Sequence, residues 1–129
     1  MNSATSMAHP FADLLGFSVS ERGEGRCTVE LDIEERHKNP HGIVHGGVLY
    51  ALADTGMGGA LTSLLSEDEI CTTIEIKIAY FRPTMKGRLQ AHTEVINRGR
   101  KTASLESTLE VGGKLLAKAY GTFMILPKP

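Results

Sequence analysis

Hydrophobic and polar residues alternate along much of the chain, which is the pattern of β-strands that bury one face. In the first clear example the apolar positions are Cys27, Val29, Leu31 and Ile33. The same pattern predicts four later strands, at residues 70–81, 89–97, 102–111 and 114–126. Gly112-Gly113 lies between the last two and is a two-residue hairpin signal. Residues 17–20 are a candidate for an additional first strand.

Two segments carry helical signals instead. Pro10 and Gly16 bracket a short helix, because proline is favoured in the first turn and glycine ends helices. Pro40 and Gly42 predict a loop at residues 34–44, and the following apolar run predicts one long helix at 46–66. Since strands joined by short turns pair antiparallel, we predict one α+β domain over residues 1–129. Its curved sheet surrounds the long helix.

Composition argues against two classes of protein, those that bind nucleic acid and those that span a membrane. The net charge of −1 provides no basic excess for binding nucleic acid, and no apolar run approaches the roughly 18 residues of a membrane helix. Cys27 and Cys71 lie far apart in the sequence, and we expect both to be reduced and buried. Residues 1–8 lack the layout of a signal peptide. We therefore expect them to be disordered and the protein to be cytoplasmic, with no membrane partner.

Asp54 interrupts the apolar face of the long helix. On a helical wheel it falls near the flank of the buried sector, between Leu61 and Leu65, and no basic residue lies at i±3 or i±4. Burying an unpaired carboxylate costs several kcal/mol. One interpretation places Asp54 at the solvated margin of the helix or beside a distant arginine. The other makes it a nucleophile or general base.

His45-Gly46-Gly47 stands where the long helix begins. A helix N-terminus has unpaired N–H groups and a partial positive charge, and glycines let a substrate approach the backbone. These are the requirements of an oxyanion hole. Asp54 lies eight residues after Gly46, about 12 Å along the helix. Both cannot contact one carbonyl group within one chain, which indicates a site shared with a second copy.

With these features in place, "NPHGIVHGGVLYALADTGMGGAL" and "TTIEIKIAYFRP" resemble the hotdog-fold thioesterases. They are most similar to the phenylacetate-pathway (PaaI-like) and 4-hydroxybenzoyl-CoA thioesterase-like acyl-CoA thioesterases. The resemblance covers nearly the whole chain. It implies a hotdog fold, in which an antiparallel sheet of five to six strands wraps around one long central helix. It also implies an acyl-CoA substrate and no cofactor beyond the coenzyme A of that substrate.

The resemblance implies roles for individual residues. Asp54 matches the catalytic carboxylate, and Gly46 matches the residue whose N–H polarises the thioester carbonyl. Asn39 matches a polar residue that orients the carbonyl or water, and Thr73 matches a serine or threonine near the leaving thiolate or attacking water. Simple alternation puts Thr73 on the solvent-facing side of its strand with Glu75, so it needs a bulge or a subunit interface to reach the site.

Three histidines, His37, His41 and His45, have a spacing that could hold zinc on a helix. Pro40 and Gly42 break any such helix, so we predict that no metal is bound. We expect His45 instead to cap the helix or brace the loop.

Basic residues cluster at Arg98, Arg100 and Lys101. They either form a solvated hairpin turn or bind the phosphates of coenzyme A, as arginine forks can. Arg82, which precedes a proline, is a further candidate for phosphate binding.

The pocket wall is expected to include Gly47, Tyr50, Met57 and Leu61, which would accept aryl or medium-length aliphatic acyl groups. We expect a dimer joined edge to edge, assembled further into a tetramer. A non-catalytic hotdog domain that senses acyl-CoA is the alternative function, but a sensor has no need of Asp54. A hotdog dehydratase would require an Asp/His pair that the sequence does not place.

Overall fold

The computed structural model describes residues 8–129. The elements are α1 (Pro10–Leu15), β1 (Phe17–Gly23), β2 (Arg26–Asp32), a 3-10 turn (Glu35–His37), α2 (Gly46–Thr62), β3 (Glu69–Tyr80), β4 (Arg88–Arg98), β5 (Thr102–Val111) and β6 (Lys114–Pro127). The prediction that residues 1–8 are disordered falls, except for Ala8, outside the described residues.

All six strands form one antiparallel sheet in the order β1-β2-β4-β5-β6-β3. Three neighbouring pairs, β1–β2, β4–β5 and β5–β6, are hairpins. Strand β3, in contrast, follows α2 and lies at the far edge beside β6. The predicted α+β architecture is therefore confirmed, including the first strand, which extends beyond the expected residues 17–20.

Helix α2 packs against the concave face of this sheet. Leu52, Met57 and Leu61 of the helix are fully buried. From the sheet, the fully buried leucines are Leu31, Leu89, Leu105 and Leu109. The 3.6-residue period of the helix and the two-residue period of the strands thus meet in one core. Burial of each such leucine contributes roughly 1.5–3 kcal/mol.

The long helix ends at Thr62, four residues earlier than expected. The Ser63 hydroxyl donates to the Ala60 carbonyl at 2.7 Å and accepts from the Gly25 N–H at 2.8 Å. These bonds tie the helix end to the β1–β2 turn, and residues 64–65 continue in tight turns. Sequence periodicity could not show this, because Gly25 is distant in sequence. No helix within residues 8–129 is long and apolar enough to cross a membrane.

Strand β3 is a long edge strand of 12 residues. Its outer side pairs with nothing in residues 8–129, and large apolar side chains such as Ile74 and Phe81 are exposed along it. Cys71, expected to be buried, is only half-buried on this strand, whereas Cys27 lies in the core. Unprotected edges of this length are usually covered in native proteins.

Candidate active site

Asp54 lies on the flank of α2 that faces β3, and it is half-buried. The Thr73 hydroxyl donates to Asp54 Oδ1 at 2.7 Å. This bond satisfies one carboxylate oxygen with a neutral donor and fixes the side chain. The other oxygen, Oδ2, makes no hydrogen bond within the described residues. Asp54 is thus neither paired with an arginine nor fully solvated.

A β-bulge brings Thr73 to the helix side of β3. Thr73 pairs with Phe123 and Glu75 with Thr122, so Ile74 is the extra residue between them. The insertion reverses the alternation, and Thr73 faces the helix together with Ile76, Ile78 and Tyr80. Ile74 is 50% exposed, although alternation placed it on the apolar face. The bulge is one of the two ways in which Thr73 was expected to reach the site.

The other half of the site is the start of α2. His45 is the N-cap, and its Nδ1 accepts from the Gly47 N–H at 2.8 Å. The Val48 N–H donates to the His45 carbonyl at 2.9 Å. The Gly46 N–H, in contrast, has no acceptor within residues 8–129. Because Nδ1 is the acceptor, a neutral His45 ring carries its proton on Nε2, and the side chain is exposed. The expected capping role of His45 agrees with this geometry.

Tyr80 contacts Gly46 from the end of β3. Its hydroxyl donates to the Gly46 carbonyl at 2.7 Å. Burial is the main cause that raises the pKa of Tyr80 above its usual value, and the neighbouring Tyr50 raises it further. The phenol therefore stays a donor throughout the neutral range. Sequence reasoning did not identify Tyr80 as a site residue; its position just before Arg82-Pro83 was the only available signal.

A cavity of about 330 Å³ adjoins Gly46 and Tyr80. Leu49 and Phe81 provide apolar walls, and Arg82 and Thr84 are the polar residues lining it. Arg82 makes no ion pair within the described residues. The cavity therefore combines the unpaired N–H of the helix start with an available cation. A larger cavity of about 640 Å³ near the β1–β2 turn contains none of the predicted site residues.

Asn39 organises the loop that leads to the helix. Its Oδ1 accepts from the N–H groups of His41 at 2.9 Å and Ile43 at 3.3 Å. Its backbone N–H donates to the Ile43 carbonyl at 2.8 Å. The side-chain oxygen is thus used inside the loop, and the amide Nδ2 is the group left to contact a substrate or water.

The three spaced histidines do not converge. His37 is buried, with Nδ1 accepting from the Glu34 N–H and Nε2 bonded to the Leu15 carbonyl. His45 caps α2, and His41 is exposed in the loop. In residues 8–129 no three side chains of His, Cys, Asp or Glu are grouped so that they could hold a metal ion.

The basic cluster is divided. The Arg98 guanidinium donates to Glu69 Oε1 and to the Gly99 carbonyl, both at 2.7 Å. The pKa of Glu69 is lowered mainly by the hydrogen bond from the Ser66 N–H, and next by the hydrogen bond from Arg98. Arg98 therefore ties the β4–β5 hairpin to the start of β3. Phosphate binding by Arg98 stays a prediction. Arg100 and Lys101 are exposed and make no ion pair within the described residues.

The expected pocket wall is only partly supported. Met57 and Leu61 are 0% exposed and belong to the core, because their side of α2 faces the sheet. They line neither cavity, and their placement in an acyl pocket stays a prediction. Tyr50 is partly exposed near Tyr80, and Gly47 is exposed in the first turn.

One chain holds the two halves apart. Asp54 and Gly46 are two turns apart on α2, and their partners Thr73 and Tyr80 are seven residues apart on β3. Both halves nevertheless lie along the same outer strand of the sheet. One small group therefore cannot contact both the Gly46 N–H and the Asp54 carboxylate of a single chain.

Comparison with known proteins gives one consistent family. Residues 41–117 match the model of the thioesterase superfamily. A conserved protein of Pseudomonas aeruginosa, PA5202, has a similar structure, with a TM-score of 0.91, 32% identity and coverage of 97% of this chain and 100% of that chain. A mutant form of the phenylacetic acid degradation protein PaaI from Thermus thermophilus gives a TM-score of 0.83 at 31% identity, covering 90% and 98%. The proofreading thioesterase EntH of Klebsiella pneumoniae is 28% identical over 124 residues, which are 94% of this chain and 86% of that protein.

The long helix held inside a six-stranded antiparallel sheet is the hotdog fold, and with these relatives it defines a thioester hydrolase. The chain belongs to the thioesterase superfamily, so the resemblance seen in the sequence is confirmed.

Proposed function

We propose that this protein hydrolyses an acyl-CoA with an aryl or medium-chain acyl group, releasing the free acid and coenzyme A. The Thr73–Asp54 bond of 2.7 Å is the observation that supports this most directly. It fixes a carboxylate on the open flank of the helix while leaving Oδ2 available for chemistry. The name of PaaI, a phenylacetic acid degradation protein, favours an aryl group.

In this reaction the Gly46 N–H donates to the carbonyl oxygen of the thioester, where negative charge develops. The positive end of the helix dipole assists it. The Nδ2 group of Asn39 orients the carbonyl or the attacking water.

Asp54 acts in one of two ways. As a nucleophile, Oδ2 bonds to the carbonyl carbon, the C–S bond breaks, and the thiolate of coenzyme A leaves and takes a proton from solvent. Water then hydrolyses the resulting mixed anhydride. As a general base, Asp54 instead accepts a proton from water while the water oxygen adds to the carbonyl carbon and the C–S bond breaks.

The active site is proposed to lie between two copies of the chain, with the two β3 edges paired antiparallel. Ile74 is an extra bulge residue that is not counted in the pairing of β3. Thr73 and Tyr80 therefore lie the same number of paired positions from Lys77, on opposite sides of it. A two-fold axis near Lys77 would place Asp54 and Thr73 of one copy opposite Gly46 and Tyr80 of the other. It would also complete the unpaired edge. Association of such dimers into a tetramer remains a prediction.

Coenzyme A is proposed to enter beside Arg82. In the antiparallel dimer, the β4–β5 hairpin adjoins the start of β3 and approaches the Arg82 end of the other copy. Arg100 and Lys101 would then supplement Arg82 in binding the phosphates, while Arg98 holds the hairpin in place.

Replacement of Asp54 by asparagine tests the function. Asp54→Asn preserves size and the bond from Thr73 but removes the charge. We expect kcat for acyl-CoA hydrolysis to fall by about 10²–10⁴, with melting temperature and oligomeric state unchanged. Affinity for a non-hydrolysable CoA analogue should change little.

The matched control is Asp68→Asn, because Asp68 is an exposed carboxylate outside the site. It should hydrolyse at the wild-type rate. If folded Asp54→Asn also did so, the proposed chemistry would be refuted.

A further inference from the structure

Tyr80 contacts the start of α2 through both its ring and its hydroxyl. Its hydroxyl donates to the Gly46 carbonyl at 2.7 Å. Its ring lies against the Gly46 Cα, so that a Cβ at position 46 would be 3.1 Å from both Tyr80 Cζ and the hydroxyl oxygen. An alanine at position 46 would require the Tyr80 ring to shift by a few tenths of an ångström.

The direction of the Gly46 N–H depends on how the first turn of α2 is held. On one side His45 Nδ1 binds the Gly47 N–H at 2.8 Å. Before the helix, the Val44 N–H donates to the Thr84 carbonyl at 2.9 Å. Tyr80 provides the third attachment and the one on Gly46 itself. All three contacts use the loop or the strand end around the cavity beside Arg82.

We propose that Tyr80 is a positioning residue, whose hydroxyl holds the Gly46 carbonyl and so restrains the Gly46 backbone, from which the N–H of the adjoining His45–Gly46 peptide points at the thioester carbonyl. This inference rests on the proposed function, in which that N–H stabilises the oxyanion. Tyr80 does not touch the reacting atoms in this role. Its contribution is to restrain the Gly46 Cα between two peptides, so that the donor in the preceding peptide needs less ordering during the reaction.

The hydroxyl sits on the strand that forms the proposed dimer edge. β3 thus contacts both functional residues of α2 through side-chain hydroxyls: Thr73 donates to the Asp54 carboxylate, and Tyr80 donates to the Gly46 carbonyl. One edge strand therefore sets the spacing of the carboxylate and the oxyanion donor in each copy. Pairing of the two edges would then set their spacing across the interface.

The experiment is Tyr80→Phe, which removes the hydroxyl and keeps the ring. We expect kcat for acyl-CoA hydrolysis to fall about tenfold while KM changes less than about twofold, because the donor is misdirected but substrate contacts remain. The melting temperature should match that of Tyr120→Phe. Tyr120 is an exposed tyrosine on β6, and its variant should retain full kcat. Incorporating 4-aminophenylalanine at position 80 restores a donor and should recover most of the lost rate.

The possible outcomes distinguish the role of Tyr80 from the proposed function. Hydrolysis at equal rates by the wild type, Tyr80→Phe and Tyr120→Phe would overturn the role of Tyr80 and leave the proposed function standing. A loss of rate accompanied by a lower melting temperature and a raised KM, without recovery by 4-aminophenylalanine, would show a structural role only and would also overturn it. Absence of acyl-CoA hydrolysis by the wild-type protein would refute the proposed function and this role together.

Discussion

At the scale of single residues, Asp54 shows how much a helical wheel can reveal. Its position on the flank of the buried sector followed from the 3.6-residue period alone. Its partner did not, because Thr73 reaches Asp54 only through the insertion of Ile74. A bulge shifts alternation by one residue, and local sequence carries no strong signal for it.

Thr73 should therefore matter through its hydroxyl. We expect Thr73→Val, which has nearly the same shape, to lower kcat about 10- to 100-fold because Asp54 is no longer held in one orientation. Thr73→Ser, which keeps the donor, should remain close to the wild type. Steady-state kinetics with an acyl-CoA measures both.

Thr72 provides the control for that comparison. It is the neighbouring threonine and is also exposed on β3, and Thr72→Val should leave kcat unchanged. Equal kcat values for the valine variants at 72 and 73 would remove Thr73 from the mechanism.

At the scale of elements, the three basic residues of the β4–β5 hairpin differ in their contacts. Arg98 is committed to Glu69 and holds the hairpin against β3, whereas Arg100 and Lys101 extend into solvent. The sequence showed one run of positive charge. Only the packing of β3 beside the hairpin distinguishes a structural ion pair from two available cations.

Kinetics should separate these functions. Arg100→Ala combined with Lys101→Ala should raise KM for CoA thioesters about tenfold, with little effect on the corresponding pantetheine thioesters, because only coenzyme A carries the nucleotide phosphates. Arg98→Ala should instead lower the melting temperature, since it removes the ion pair that ties the hairpin to β3. An equal rise in KM for both substrate types would return residues 100 and 101 to the role of a solvated turn.

At the scale of the whole molecule, pairing of two copies would both complete the outer edge of β3 and bring the two halves of the site together. Pairing two β3 edges covers exposed apolar side chains and supplies backbone hydrogen bonds. It also brings Gly46 of one copy toward Asp54 of the other. In the proposed register the two Lys77 side chains face each other, and Glu75 of each copy lies diagonally across from Lys77 of the other, which offsets the repulsion between the lysines.

This register predicts a cross-link. In a Cys71→Ser background, Lys77→Cys should form a covalent dimer with a short bismaleimide, since residues facing each other near a two-fold axis are within its reach. Sedimentation of the wild type at micromolar concentration should show a dimer or tetramer.

The opposite edge of the sheet is the matched control. Ser18→Cys on β1, in the same background, should give little cross-linked product. A wild-type protein that sediments only as a monomer, or equal cross-linking through positions 18 and 77, would contradict the proposed assembly.

Periodicity and turn residues by themselves determined the elements of this protein, because the two-residue and 3.6-residue repeats record which faces are buried. Resemblance added the family and marked Asp54 and Gly46. Tertiary structure decided which side chains contact Asp54 and Gly46. Thr73, Tyr80 and the Arg98–Glu69 pair depend on contacts between segments distant in sequence, and on a bulge that reverses one strand. A linear pattern records burial, but it does not record the distance between two side chains.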